Sequence, residues 1–462
     1  MCVRAGASRE DYYLNMQLDE RWAVTMIRQK LSHLSVAQSE CTIYRVHKHL
    51  RSVNDKAYEP EVIAIGPYHR DKGNLKMMED HKLRNLHLLL QRKNDDVEKY
   101  VSAIGPLEPL ARKCYAETIS LSAADFIEML VLDGCFIIDL ARKSNMPHLR
   151  EKNDPIFHME WIMNSLQRDL MLFENQIPFF VLCKLFDLIE VPNQHSRLIY
   201  LLLSFFDNLY PGKVYVESRS WSSHEIKHLL DLIHRNWLPS FDWLDVSKNG
   251  ENRKKRWRFV NCGTCLGGAN VSKGENSKTR WRFINCATWL REANVKFARR
   301  DDVTLFNIRF KNGTMFLAPL TVEDRTDSFF RNVIAYEQYF QDTEFSFVTD
   351  YVKFLDCLID SSRDVQILGR AGIIDNWLGD DEVVANMINK LSDSVTGPGS
   401  SFVYAKIFDS VNKHCNKRRN RWMAKLRRNY LNSPWAIMSI VVAVVLVLLT
   451  ITQTVFSILQ VV

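Results

Sequence analysis

Residues 122–143 read SAADFIEMLVLDGCFIIDLARK, and residues 168–189 read RDLMLFENQIPFFVLCKLFDLI. In the first, Phe126, Met129, Leu130, Phe136, Ile137 and Leu140 recur at helical spacing, which predicts a helix with a wide apolar face. The second is interrupted at Pro178. Proline lacks an amide proton and restricts its predecessor, so one helix should end near Asn175 and another begin near Pro178. Each stretch holds a carboxylate amid apolar neighbours, Asp133 in LDGCF and Glu174 in FENQIPFF. Arg331 and Glu337 in FFRNVIAYEQ pose the same question. Carboxylates in such surroundings are normally paired when buried. Asp133, Glu174, Arg331 and Glu337 are therefore candidates for a buried polar network that fixes helix packing, in preference to an active site.

Further helices are expected on either side. In MEDHKLRNLHLLLQR, Leu83, Leu86, Leu89 and Leu90 fall on one face, and SFFRNVIAYEQYF, TDYVKFLDCLI and DEVVANMINKL repeat the pattern later. Two regions read as β. The segment 42–70, with CTIYRVHKHL and YEPEVIAIGPYHR, alternates and breaks often, which predicts short strands ending at Gly66-Pro67. In DVTLFNIRFKNGTMFLAPL, the pair Asn312-Gly313 suits a type I′ hairpin turn near 303–320. That register sets Phe310 opposite Met315, Ile308 opposite Leu317 and Phe306 opposite Pro319, apolar against apolar. The fold class is mainly α with small β elements.

The chain closes on PWAIMSIVVAVVLVLLTITQTVFSILQVV. Ile437 to Val455 is interrupted only by small or neutral polar residues, and as a helix it would span about 28 Å, a bilayer core. Trp435, Ile437, Val441, Leu446, Leu449 and Val455 mark this expected transmembrane helix, and threonine hydroxyls there can return to backbone carbonyls. Just before it stand Lys417, Arg418, Arg419, Arg421, Lys425, Arg427 and Arg428 with no acid among them. Such a basic neck reads as the cytoplasmic flank and could bind anionic lipid. No secretory signal opens the chain, and ten scattered cysteines suggest reduced thiols. The expected protein is single-pass, with its body in the cytosol. Asn270-Val-Ser272 and Asn312-Gly-Thr314 would then carry no glycan.

One word is said twice. From Glu251/Glu275 to Val271/Val295, 14 of 21 aligned pairs are identical. The block 246–294 carries eleven Lys/Arg against three Glu, while the body outside it and the neck is mildly acidic. RKKRWRF mixes cations and aromatics as single-strand binders do, but an isolated basic loop is usually only solvated, which weighs against nucleic acid. Cys262-Gly-Thr-Cys265 has the spacing of half a zinc site, and no second pair exists. No metal and no cofactor is expected. Gly267-Gly268 in the first copy replace Arg291-Glu292 in the second. Two glycines in a helix interior cost roughly 2 kcal/mol, so residues 246–270 read as a looped-out duplicated insert.

The order IYRV, AYEPEVIAIGPYHR, MEDHK, EMLVLDGCFII, ENQIPFFVL, LREANVKF, FFRNVIAYEQ, GIIDNWLGDDEVV and YLNSPW resembles the plant family called domain of unknown function 247, from about Cys41 to Thr452. The resemblance implies a body that usually ends in one membrane helix and, since some grass members are implicated in pollen–stigma self-incompatibility, a role in recognition or signalling. His47 stands where the family usually has proline. Asn294 stands where glycine is usual, and asparagine is the best substitute for glycine in a left-handed position after a helix. The expected organisation is an extension over 1–40, an α-rich body over 41–410, a neck over 411–434 and a transmembrane helix over 435–459. The motifs of phosphate-binding loops, serine hydrolases and zinc proteases are missing. A non-enzymatic, membrane-tethered recognition protein with protein partners is therefore expected. The alternatives are a membrane-bound hydrolase or transferase using His69, Glu79 or His81, and an RNA-binding protein using the basic repeat.

Overall fold

The computed structural model describes residues 19–29, 41–152, 154–214, 222–238, 282–340, 346–395, 402–430 and 434–461. The first copy of the duplicated word, with Cys262, Cys265 and Asn270, lies outside the described residues. Among the described residues the fold is mainly helical, with two small sheets.

The first half is built from α1 (Lys76–Lys93), α2 (Val97–Ile104), α3 (Ala123–Asn145), α4 (Glu160–Met171), α5 (Phe179–Ile189), α6 (His195–Phe205) and α7 (Leu229–Trp237). Helix α3 is its axis and packs against α1, α2, α5 and α6. Its six predicted apolar residues are all buried, and so are Val131, Leu132, Cys135 and Ile138 between them. A helix apolar all round belongs inside a helical shell. Ser122 caps its start by accepting from the Asp125 amide at 3.1 Å. Gly134 lets α5 approach closely, since a Cβ there would collide with Leu185.

Two expectations shift. Helix α4 ends at Met171, not near Asn175, while α5 begins behind Pro178 as expected. The intervening residues are buried and make a turn at 173–175, because Asn175 and Gln176 spend their amides on backbone carbonyls and so end the helix locally. On α1 the inward face is Met78, Lys82, Asn85, Leu86 and Leu89, whereas Leu83 is 59% exposed. Hydrophobic spacing alone missed that a lysine holds the buried place.

The second half holds α8 (Ala287–Glu292), β1 (Lys296–Arg299), β2 (Arg309–Lys311), β3 (Thr314–Leu317), β4 (Leu320–Val322), α9 (Thr326–Tyr339), α10 (Phe347–Leu358), α11 (Ser362–Arg370), β5 (Ile374–Asn376) and α12 (Asp381–Leu391). The hairpin turn forms as read, but of the three expected facing pairs only Phe310 with Met315 lies in the ladder; Ile308/Leu317 and Phe306/Pro319 fall outside it. β2 pairs antiparallel with β3 with Phe310 opposite Met315, and Asn312 and Gly313 both adopt positive φ, 52° and 77°. The ladder is shorter than 303–320, and β1 joins β3 in parallel. Asn294 takes φ 65° after α8, as its place after a helix predicts. Trp237 seals the two halves, its ring 4.9 Å from those of Phe306 and Phe329.

The expected strands in 42–70 do not form. A lone parallel bridge joins Ile43 to Tyr115; a short helix (Lys48–Arg51) and a 3-10 turn (Asp55–Tyr58) follow, then extended chain to Gly66. This segment is a strap whose amides are bonded by side chains of the helices and of the turn between α4 and α5.

The chain ends in α13 (Ala405–Cys415), α14 (Arg418–Tyr430) and α15 (Pro434–Val461). Among the described residues no helix is long and apolar enough to cross a membrane. The side chains of 431–437, 440 and 457–462 lie outside them, so that the continuous described stretch of α15 is 441–456.

Candidate functional site

The densest polar construction in the described body is the attachment of the strap. Asp169, fully buried at the end of α4, accepts the amides of Glu61, Val62 and Ile63 at 2.7–3.0 Å through Oδ2, and Arg168 lies 2.8 Å from its Oδ1. Asn175 takes the Ile65 amide at 2.6 Å and donates to the Ile63 carbonyl at 3.0 Å. Asp133 takes the Gly66 amide at 2.8 Å, and Lys82 bonds Asp133 and Ala64 O together. From α9, Asn332 and Ser328 both donate to Ala57 O, at 2.8 and 2.6 Å. Carboxylate and amide side chains thus do here what a neighbouring strand would have done.

Glu174 closes the same construction. Its carboxylate has no exposed surface and accepts the Val46 amide at 2.6 Å and the Arg51 guanidinium at 2.7 and 3.1 Å. His69 Nε2 lies 3.3 Å away, and its Nδ1 is 3.7 Å from Glu59. Glu59 also pairs with Lys72 and Arg51. Burial alone would push the Glu174 carboxyl up. The His69 imidazole, the Arg51 guanidinium and the Val46 amide outweigh it and hold the group below its ordinary value. His69 is 1% exposed, and neither ring nitrogen makes a hydrogen bond of good geometry. His47 has φ −61°, a proline-compatible angle, so the turn survives without proline, and its amide donates to Tyr339 Oη at 3.0 Å.

Arg331 reaches the strap indirectly. It pairs with Asp327 at 2.9 Å, and Asp327 accepts from Asn54 at 2.7 Å. Glu337 works elsewhere. It accepts the Val348 and Thr349 amides and the Thr349 hydroxyl at the start of α10, and His234 Nε2 lies 3.0 Å away. Asp133, Glu174 and Arg331 therefore converge on one segment of chain, whereas Glu337 joins α7, α9 and α10.

Sequence reasoning missed Asp169, Asn175, Lys82, Arg51 and His228. Burial pushes His228 down to about 4, so it is neutral near pH 7. Its Nδ1 accepts the Asp231 amide at 3.3 Å and caps α7, leaving Nε2–H to bond Thr42 O at 3.1 Å. The signal in sequence was weak, a histidine three residues before an aspartate. His69, Glu79 and His81 do not share a set of contacts: Glu79 pairs with Lys82, and His81 lines a separate crevice with room for about one water. Among the described residues no group of three His, Cys, Asp or Glu side chains could hold a metal ion.

The C-terminal elements differ in kind. On α15 the side chains of Val441, Leu446, Leu449 and Val455 are 49–60% exposed. Thr450, Thr452 and Thr454 each donate to the carbonyl four residues earlier, at 2.7–2.8 Å. Lys417, Arg418, Arg419, Arg421 and Lys425 are exposed, and the side chains of Arg427, Arg428, Trp435 and Ile437 lie outside the described residues.

Residues 43–449 match the model of domain of unknown function 247, described as a plant protein of unknown function. The chain is 32% identical over 437 residues to UPF0481 protein At3g47200 of Arabidopsis thaliana, covering 92% of this chain and 88% of the relative. It is 23% identical over 508 residues to putative UPF0481 protein At3g02645 of the same plant, covering 94% of each. No solved structure matches.

Proposed function

The chain belongs to the plant family called domain of unknown function 247, and from that premise we propose that it is a membrane-tethered, non-enzymatic recognition or signalling protein whose body lies in the cytosol and binds protein partners. The observation that carries the tether is α15. Its described apolar side chains are exposed on all sides, and three of its threonines return their hydroxyls to the backbone. In hydrocarbon no water is present to bond a hydroxyl or carbonyl, so polar groups must be satisfied within the helix. The run Ile437–Val455 is long enough to span, and the cations before it favour the cytosolic side.

Support for a recognition role comes from the state of the buried carboxylates. Asp169 and Glu174 are saturated by amides and cations, an arrangement suited to holding a shape. Alkaline carbonate should leave the full chain in the membrane pellet. Protease added outside intact cells should leave the body whole, and Asn312 should carry no glycan. Release by carbonate, or digestion from outside, would overturn the reading. One observation favours an enzyme instead: His69, buried between two carboxylates without a well-formed hydrogen bond. His69→Gln distinguishes the two, since a structural role predicts altered unfolding, while a site predicts lost phenotype with unfolding unchanged.

A further inference from the structure

The neck is folded onto the body. Helix α14 packs against α8, the helix of the second copy of the duplicated word, and lies beside α13. Its inward face holds Asn420, 5% exposed, and Ala424, 9% exposed, and Asn420 donates to His414 O at 2.8 Å. At 100° per residue the opposite face is centred between Arg418, Trp422 and Lys425, with Arg421, Leu426 and Arg419 on its flanks. All six are exposed, Trp422 at 74% and Leu426 at 43%. Among the described residues none of the four cations is paired with a carboxylate. Across the junction, Asn412 on α13 donates to the Arg282 and Phe283 carbonyls, and Phe283 is 58% exposed.

Distance places this face at a surface. Tyr430 ends α14 and Pro434 begins α15. Four residue steps of extended chain reach at most about 14 Å. If Trp435 enters the interface, the end of α14 lies within that reach of the headgroups, less than two Debye lengths of about 8 Å at physiological salt. A tryptophan and a leucine set among unpaired cations is the composition of an interfacial helix, in which the rings settle at headgroup depth and the cations meet anionic lipid. A helix pinned to the body on its other side would carry the body with it.

We propose that the outward face of α14, Arg418, Trp422, Lys425 and Leu426 with Arg419 and Arg421 beside them, is a docking surface for anionic lipid headgroups that sets the orientation of the body on the bilayer. The proposal rests on the tethered reading above and adds a second, peripheral contact to it. A flexible tether would leave the body free to tumble. A docked α14 presents one face of the body to partners and turns the α8 side toward the membrane.

The test uses the full chain reconstituted into vesicles of phosphatidylcholine, with and without phosphatidylserine, and quenching of tryptophan fluorescence by brominated phosphatidylcholine. Trp422→Phe should remove a distinct part of the quenching, larger in the anionic vesicles. Trp377→Phe, at an exposed tryptophan of the body, should remove none. Each cation replaced among Arg418, Arg419, Arg421 and Lys425 by glutamine should lower the docked-to-free ratio about fivefold, and added salt should do likewise. All these side chains are exposed, so unchanged thermal unfolding of the variants checks the fold. Equal effects of Trp422→Phe and Trp377→Phe, or no dependence on phosphatidylserine, overturn the docking surface. Carbonate extraction of the same vesicles reports separately on α15. A chain that resists carbonate with Trp422 unquenched keeps its tether and loses its docking face.

Discussion

Two segments read as β in this sequence, and they met opposite fates. The hairpin 309–317 forms its ladder around Asn312-Gly313. The strap 42–70 has comparable alternation and forms one bridge. The hairpin finds its partner two residues away, so the pairing needs only a turn that tolerates positive φ. The strap has no local partner. Its amides are claimed by Asp169, Asn175, Asp133 and Glu174, the last 128 residues from the Val46 amide it accepts. Extended backbone accordingly takes one of two forms here, a ladder where a neighbour is local and a side-chain cradle where helices already surround the chain.

Removing a cradle residue should therefore do more harm than disturbing the turn. Asp169→Ala strips three strap amides of their acceptor, the Ile63 amide among them fully buried, and takes one carboxylate partner from the buried Arg168; it should destabilise by about 3–5 kcal/mol, read as a lowered unfolding midpoint. Survival within about 1 kcal/mol of the wild type would falsify the cradle.

Glu174→Gln ranks next, at about 2–3 kcal/mol near neutral pH, and carries a pH signature. The folded carboxyl sits below its unfolded value, so its contribution is complete above the ordinary glutamate range and fades as pH falls through the depressed value. Wild type and variant should converge in acid. A gap that stays constant down to low pH would assign the effect to packing instead.

Gly313→Ala tests the hairpin. The residue has φ 77°, and a Cβ would lie 2.7 Å from His414 Cε1, so a loss of about 1–2 kcal/mol is expected. If it exceeds Asp169→Ala, the order of the two regions is reversed. The smallest effect belongs to His47→Pro. The angle already suits proline, which gains stability through the unfolded chain, while the hydrogen bond to Tyr339 and the exposed His47 Nδ1 cap on the His49 amide are lost. Gain and losses should nearly cancel, within about 0.5 kcal/mol, and a loss above about 1.5 kcal/mol would show that the His47 contacts matter more than the turn.

Much of this was visible from local chemistry. Helix α3, the start of α5 behind Pro178, the turn at Asn312-Gly313 and the left-handed Asn294 each depend on residues within a few positions, where period and φ preference act directly. Asp133 and Glu174 stood out because charge amid apolar neighbours needs an explanation. Their partners did not stand out. Lys82 stands between His81 and Leu83, and the spacing argument rests on Leu83 instead. Asp169 follows Arg168 directly, a charged pair with nothing in its spacing to point at the strap. Nothing in a hydrophobic period records which buried position is filled by a charge, since a lysine can be buried when its ammonium meets a carboxylate and a carbonyl.

From its order of residues alone, this chain sets the helical class, the hairpin turn, the helix start behind Pro178, the left-handed stop at Asn294, and the apolar run behind a cationic neck. All of these follow from interactions that close within a turn or two of chain. Tertiary structure alone decides how the strap is held, that Asp133, Glu174 and Arg331 converge on it while Glu337 does not, and that α14 turns Asn420 and Ala424 inward and Trp422 outward. The reason is physical: a buried polar group must find its partner wherever the packed helices put one, and sequence separation carries no information about that distance.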